Sequence, residues 1–215
     1  MLDVLLVNLT IGVLVYASAL LAQTYSWGVL NWLGIPAAVA VVFTIVFLDF
    51  AIYVQHRVFH EIPWLWRLHR VHHSDLALDA TTGVRFHPIE IAISVFYKIA
   101  VVLLLGASPA GVIVFEIILN GTSLFNHGNV VLPARWETWL RQVLVTPEMH
   151  RIHHSNDPWE TNSNFSFNLS VWDRCCGTYR AAPRLGAEGV DIGLKQFRDP
   201  HALKLVQLLS LPFRP

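Results

Sequence analysis

The chain has 215 residues, of which 54% are hydrophobic and only 14% are charged. A mean hydropathy of +0.48 is too apolar for a small soluble fold, so we expect a membrane to be its solvent. The formal net charge is zero, which leaves no electrostatic footprint for nucleic acid. The length predicts one domain over residues 1–215 and excludes a separate reductase domain.

Four apolar segments follow in chain order. The first two, at about residues 4–22 and 34–54, approach the roughly 20 residues that span hydrocarbon as a helix. The next two, at about 89–106 and 109–125, are slightly shorter and are joined by a tight Gly-Ala-Ser-Pro turn. We therefore predict an all-α integral membrane protein with about four transmembrane or re-entrant helices, the last two forming a hairpin.

Basic residues are placed unevenly along the chain. None precedes Arg57, and all later ones except Lys98 lie at residues 57–85 or beyond residue 134. Cytosolic loops are enriched in Lys and Arg. The distribution therefore predicts a cytosolic helical cap, formed by residues 55–88 and by the chain after residue 126. Because no basic region precedes the first apolar segment, we expect no cleaved signal peptide.

Lys98 and Glu116 are ionisable groups inside the two hairpin segments. Such groups are costly in hydrocarbon unless they find a partner. Lys98 lies eight residues before Gly106, and Glu116 lies seven residues after Pro109. The two side chains should therefore reach a similar depth, and we predict an ion pair between them.

Histidine motifs dominate the predicted cap. The segment DFAIYVQHRVFHEIPWLWRLHRVHHS contains H-x-x-x-H and H-x-x-H-H, EMHRIHH repeats the second motif, and RFHPIE and FNHGN add single histidines. Positions three and four apart share a helix face, so each motif can direct several imidazoles to one point. The ten candidate metal ligands are His56, His60, His69, His72, His73, His87, His127, His150, His153 and His154. The eleventh histidine, His201, lies outside the motifs and is not expected to be a ligand.

Imidazole suits iron, zinc, copper and nickel, and ten imidazoles exceed what one ion can use. The simplest way to use all ten is two metal ions with roughly five ligands each. Because neutral ligands leave positive charge on the metals, we expect nearby carboxylates to orient the imidazoles. Each carboxylate would accept a hydrogen bond from the ring nitrogen that does not face the metal. The candidates are Asp49, two helical turns before His56, then Glu90, Glu148 and Asp173. Each could instead be a helix cap or a surface charge.

The chain resembles the fatty acid hydroxylase and sterol desaturase superfamily over about residues 45–180, through the motifs DFAIYVQHRVFH, LWRLHRVHHS, RFHPIE, FNHGN, VTPEMHRIHH and NFSFNLSVWDRCCGTY. Members are membrane di-iron enzymes that hydroxylate, desaturate or cleave lipids with dioxygen and external electrons. The resemblance implies that the ten histidines bind two iron ions, with zinc as a substitute. Asn162, Asn164, Trp172 and Asp173 match the closing motif, whereas Ser166 stands where the family pattern has Gly.

The resemblance thus implies a membrane-bound non-haem di-iron oxygenase that hydroxylates or desaturates a lipid, such as a sterol or fatty acyl chain. Its electrons must come from a separate reductase, a ferredoxin or a diffusible reductant, because the sequence carries no flavin, nicotinamide, haem or iron–sulfur motif. Two alternatives stay open. One is a membrane zinc hydrolase, for which ten histidines would be surplus. The other is a non-catalytic metal-binding or transport protein, and transport would place the ligands at mid-membrane.

Overall fold

The computed structural model describes residues 2–186, 189–199 and 204–214, with side chains from residue 12 onward. Its helices are α1 (Leu2–Thr24), α2 (Val29–Trp32), α3 (Ala37–Glu61), α4 (Pro63–His69), α5 (Pro88–Leu105), α6 (Pro109–Asn126), α7 (Ala134–Leu140), α8 (Pro147–His153), α9 (Pro158–Thr161), α10 (Val171–Cys175) and α11 (Leu205–Ser210). Short 3-10 helices cover His72–Ser74, Thr82–Val84 and Leu211–Phe213. The described residues contain no β-strand, which confirms the all-α prediction.

Four helical segments are long and apolar enough to cross a membrane, namely Gly12–Trp32, Ala37–Glu61, Pro88–Leu105 and Pro109–Asn126. They correspond to the four apolar segments of the sequence. The second is longer than predicted, because no residue that breaks a helix occurs between Val54 and Pro63. The histidines of the H-x-x-x-H motif therefore lie on the last two turns of α3.

The chain divides into two compact units. The span unit comprises Met1–Ile52 and Ile91–Asn120, and the histidine unit comprises Tyr53–Glu90 and Gly121–Pro215. Each unit is built from two separate stretches of sequence. The prediction of one domain over residues 1–215 stays a prediction.

The span unit has an apolar core to which α1, α3, α5 and α6 all contribute. Its most buried members include Val15, Leu48, Val102 and Phe115. Other large apolar side chains of these helices, such as Phe96, are exposed. An exposed apolar surface of this kind is what lipid-facing helices require.

Glycines allow a close approach at the turn between α5 and α6. Gly106 has a φ of +69°, and a Cβ atom on Gly28 would lie 2.0 Å from the backbone nitrogen of Gly106. Asn31 donates a hydrogen bond from its side chain to the carbonyl of Trp27 at 2.7 Å. The hairpin turn is therefore packed against the link between α1 and α2.

The ion pair predicted within the hairpin is confirmed. Nζ of Lys98 on α5 lies 2.6 Å from Oε1 of Glu116 on α6, and the two side chains are only 8% and 15% exposed. Each charge thus has a partner inside an apolar helix pair. An ionisable group within hydrocarbon needs such a partner, and each of the two residues supplies it to the other.

A buried carboxylate organises part of the histidine unit. The Asp173 carboxylate accepts hydrogen bonds from the backbone nitrogens of Phe165 and Ser166, at 2.8 and 3.0 Å, and from the Thr178 hydroxyl at 2.7 Å. Burial raises the pKa of Asp173, and these hydrogen bonds to the ionised form oppose the rise. The loop before α10 is therefore held in one conformation. Ser166, which departs from the family pattern, also accepts a hydrogen bond from the Asp173 nitrogen.

Candidate metal centre

The histidine unit brings together nine of the ten predicted ligands in two buried groups. Five of them form what we call the five-histidine group, which consists of His56, His60, His69, His73 and His153. The other four form the four-histidine group, which consists of His72, His127, His150 and His154. Within each group one nitrogen of every residue lies within 4.8 Å of the others. These distances are compatible with one metal ion per group.

Each H-x-x-H-H motif is divided between the two groups. His72 and His73 are adjacent in a 3-10 helix, and His153 and His154 are adjacent at the end of α8. Consecutive residues point about 100° apart around the axis of an α-helix and about 120° apart around that of a 3-10 helix. The adjacent pairs therefore serve different groups, although the sequence predicted one focus for each motif.

Outward hydrogen bonds fix which nitrogen of each ring faces inward. Nδ1 of His56 lies 2.7 Å from the Phe165 carbonyl, and Nδ1 of His69 lies 2.6 Å from Oε1 of Glu90. Carbonyl and carboxylate oxygens only accept, so each Nδ1 carries a proton, and a ring that is neutral then has a bare lone pair on Nε2.

The Nε2 atoms of His56 and His69 face one another at 3.1 Å. Between two neutral rings of this tautomer the contact cannot be a hydrogen bond, and a cation between them would satisfy both lone pairs. Two nitrogen ligands at right angles on a metal, each about 2.1 Å from it, are themselves about 3.0 Å apart. The observed separation matches that value.

The four-histidine group repeats the pattern. Nδ1 of His127 lies 2.7 Å from the Ser123 carbonyl, which leaves its Nε2 bare. That Nε2 lies 3.1 Å from Nε2 of His72 and 2.8 Å from Nε2 of His150. The donor set of both groups is therefore all nitrogen, and its spacing fits a first-row transition metal.

Some inward nitrogens have no hydrogen-bond partner within the described part of the chain. Both ring nitrogens of His73 are buried without a hydrogen-bond partner, and so is Nε2 of His153. A buried polar atom without a partner costs about 1–3 kcal/mol. Metal coordination would remove that cost, which is a second indication that metal ions belong here.

Burial keeps these imidazoles neutral. It lowers the pKa of His72, His73, His150 and His154 well below the usual range, and the neighbouring histidines lower it further. Burial also lowers the pKa of His127 to about 4 and that of His153 to about 3. A neutral imidazole has the free lone pair that a metal ligand needs.

The four candidate carboxylates lie in different surroundings. Glu90 is buried, and its carboxylate accepts a hydrogen bond from Nδ1 of His69. Asp173 accepts a hydrogen bond from the backbone nitrogen of Phe165, and the Phe165 carbonyl accepts one from Nδ1 of His56. Asp49 is buried on α3, and Glu148 is partly buried in the first turn of α8. The positioning roles of Asp49 and Glu148 stay predictions.

His87 is not brought into either group. Its Nδ1 accepts a hydrogen bond from the Ile89 backbone nitrogen at 3.2 Å, so the proton of the neutral ring lies on Nε2. That Nε2 is 3.3 Å from the Leu209 carbonyl. His87 thus links the start of α5 to α11, a position that does not favour the predicted role as a tenth ligand. His201 lies outside the described residues.

Sequence reasoning missed the backbone carbonyls that orient the ligands. The carbonyls of Phe165, Ser123 and Ser163 each face Nδ1 of a grouped histidine. Every residue has a carbonyl, so no residue type marks these positions. The hint in the sequence was that Phe165 lies in the closing motif and that Ser163 directly precedes it.

Comparison with known proteins adds a family assignment. The family model described as fatty acid hydroxylase matches residues 41–178. The ornithine lipid hydroxylase OlsE of Rhizobium tropici is 33% identical over 74% of this chain and 46% of its own length. An alkylglycerol monooxygenase of Xenopus tropicalis is 31% identical over 61% of this chain and 28% of its own. A cholesterol 25-hydroxylase of Rattus norvegicus is 29% identical over 63% of this chain and 45% of its own length.

The chain therefore spans less than half the length of each of these relatives. No solved structure matches it at a significant level. The family model covers well over half of the chain, including all ten candidate ligands of the sequence. The chain belongs to the fatty acid hydroxylase family.

Proposed function

We propose that this chain is a membrane-bound di-iron oxygenase that hydroxylates a lipid. The observation that carries the proposal is the pair of buried, all-nitrogen groups in which Nε2 atoms of neighbouring histidines face each other at 2.8–3.2 Å. The named relatives support it, because they are hydroxylases and monooxygenases of an ornithine lipid, alkylglycerol and cholesterol. These names favour hydroxylation over desaturation.

The reaction balances with an external reductant. One C–H bond of the lipid is converted to C–OH while dioxygen, two electrons and two protons are consumed and one water is released. Bound iron would supply the oxidising power that cleavage of an unactivated C–H bond needs. The chain carries no cofactor motif that could store the electrons, so a separate donor is part of the proposal.

The chain's own residues prepare the ligand shell. Glu90 and the carbonyls of Phe165 and Ser123 hold three rings with Nε2 pointing inward. Burial excludes water and lowers the pKa of His127 to about 4, which keeps that ring unprotonated. Ring orientation and tautomer are thereby set before metal arrives, which lowers the cost of binding.

Zinc would also accept nitrogen ligands, so the donor set alone does not exclude a zinc hydrolase. A catalytic zinc site, however, usually has three protein ligands. Groups of five and four histidines exceed this number. We therefore propose iron as the native metal, with zinc as a substitute when iron is scarce. We also propose that the histidine unit faces the cytosol, which the placement of Lys and Arg supports.

The test is elemental analysis of protein purified without chelators from iron-supplemented, low-zinc cells, beside the variant His153→Ala/His154→Ala. We expect about two irons per chain, and much less in the variant because each group loses a ligand. The loaded protein is then reduced with dithionite in the absence of dioxygen, freed of excess dithionite, and mixed with host lipids and isotopically labelled dioxygen. Mass spectrometry should find one labelled oxygen atom in a lipid product. Stoichiometric zinc that resists exchange for iron would instead favour the hydrolase, and no metal in either protein would refute the proposal.

A further inference from the structure

We propose that a polar cleft beside the five-histidine group is the docking site of the electron donor, and that this donor is an acidic electron-transfer protein. The inference rests on the proposed function, since an oxygenase of this kind draws electrons from outside. The cleft lies wholly in the histidine unit and has a volume of about 480 Å³. Residues of α9 line one side, and the segment Gly177–Arg180 lines the other.

The cleft lies one hydrogen bond away from a candidate metal ligand. Ser163 lines the cleft, and its backbone carbonyl lies 2.8 Å from Nδ1 of His153. His153 belongs to the five-histidine group and is fully buried. A protein seated in the cleft would therefore contact a residue that is hydrogen-bonded to the imidazole. That is a short route for an electron into the five-histidine group.

The charge of the cleft favours an acidic partner. Arg180 lines it, and the buried Nε of this arginine has no hydrogen-bond partner in the described residues. Two hydrogen bonds with the Asn164 side chain, at 3.0 and 2.8 Å, fix the Arg180 backbone.

The nearest acidic groups on α9 and its cap are already engaged. Glu160 accepts a hydrogen bond from the Arg184 backbone, and Asp157 is paired with the Arg184 guanidinium. The Arg180 side chain is itself partly exposed and forms no ion pair within the described residues, so its guanidinium offers a positive charge that a partner's carboxylate can approach.

The residue types in the cleft are those that dominate protein interfaces. Trp159 is 70% exposed, and the Arg180 guanidinium lies 5.9 Å from its ring centre. Tyr179 completes the wall. Trp, Tyr and Arg are enriched among residues that carry most of the binding energy between proteins. An exposed tryptophan next to an unpaired arginine thus suits a protein partner better than a small anion.

The experiment uses the full-length, iron-loaded protein in nanodiscs and an acidic plant-type [2Fe–2S] ferredoxin as the probe. Two rates are measured without dioxygen: reduction of the bound iron by reduced ferredoxin, in which each ferredoxin gives one electron, and reduction by dithionite. Ferredoxin affinity is measured separately by titration at low salt. The test variant is Arg180→Glu, with Arg180→Lys as the conservative form. The matched control is Arg135→Glu, because Arg135 is an exposed arginine of the same unit that also lies over a tryptophan, Trp136.

We expect Arg180→Glu to weaken ferredoxin binding and to slow ferredoxin-driven reduction by about tenfold, because loss of a charge contact acts on the encounter with the partner. Arg180→Lys should recover most of the loss. Dithionite reduction and iron content should not change in either variant, and Arg135→Glu should match the unmodified protein. Equal effects of both glutamate variants, an equal loss with dithionite, or no saturable binding by the unmodified protein would each overturn the docking site. Failure of the proposed function would show separately, as missing iron.

Discussion

Glu90 is the carboxylate in direct contact with a candidate ligand. Its Oε1 lies 2.6 Å from Nδ1 of His69, and both side chains are buried. Glu90 was one of four carboxylates that the sequence offered, and the sequence ranked Asp49 first from its spacing to His56. Spacing along one helix does not report contacts made across the fold, whereas His69 and Glu90 lie 21 residues apart. Tertiary packing therefore brings Glu90 to His69.

Replacing Glu90 with Gln should weaken metal binding. The amide can still accept a hydrogen bond but no longer supplies a negative charge behind His69. Loss of a partner that orients a ligand typically costs about 10–100-fold in metal affinity. Competition with a chelator measures this loss, and Glu137→Gln serves as the matched control because the Glu137 carboxylate is paired with Arg141 rather than with a histidine. Equal losses in both variants would contradict the specific role of Glu90.

His87 provides a second test at the residue scale. Because its ring links Ile89 to Leu209, we expect His87→Asn to retain nearly the full metal content. His127→Asn, by contrast, should lose most of the metal from the four-histidine group. Elemental analysis of both variants, prepared in parallel, measures the difference. Equal metal loss in the two variants would instead make His87 a tenth ligand, as the sequence motif predicted.

At the scale of helices, the sequence was most informative where hydrophobic length and helical breakers decide the structure. The hairpin α5–α6 was predicted to within one residue, because Pro88, Gly106 and Pro109 mark its ends. The end of α3 was missed, because the apolar pattern stops before the helix does. The sequence also did not predict that each H-x-x-H-H motif is divided between the two histidine groups. The spacing within a motif shows which residues share a helix face, but it does not show that adjacent histidines belong to different groups.

The Lys98–Glu116 pair should stabilise the hairpin. Lys98→Met leaves a buried carboxylate without its partner, and breaking a buried pair in this way costs about 3–5 kcal/mol. Adding Glu116→Gln removes the uncompensated charge and should restore part of the stability. Thermal unfolding in one detergent, with the two single variants and the double variant, gives the coupling. Losses that simply add would refute the functional pairing of the two charges.

At the scale of the whole molecule, membrane character and family follow from composition and motifs, whereas the two units do not. Each unit combines two stretches of sequence that lie far apart in the chain. Interleaving of this kind depends on long-range packing, which leaves no local signal. The docking cleft has the same origin, because α9 and the segment after α10 meet only in the folded chain.

The metal-free protein should lose stability as the pH falls. His127 and His153 have a pKa of about 4 and about 3 in the folded chain, against about 6.5 when unfolded. Between these values the unfolded chain binds more protons, so the free energy of unfolding decreases with decreasing pH, by about 1.4 kcal/mol per pH unit for each such histidine. The melting temperature of metal-free protein should therefore be lower at about pH 5.5 than at about pH 7.5. An equal or higher value at the acidic pH would contradict this expectation.

The adjacent pairs His72–His73 and His153–His154 tie the two groups together, because each pair gives one ring to either side. An ion in one group fixes the backbone of both pairs and so prepares the ligands of the other. We therefore expect occupancy to be cooperative. In a cell that is short of iron, most molecules would then hold either two ions or none. Few would hold a single ion, a state that could reduce dioxygen without completing the reaction.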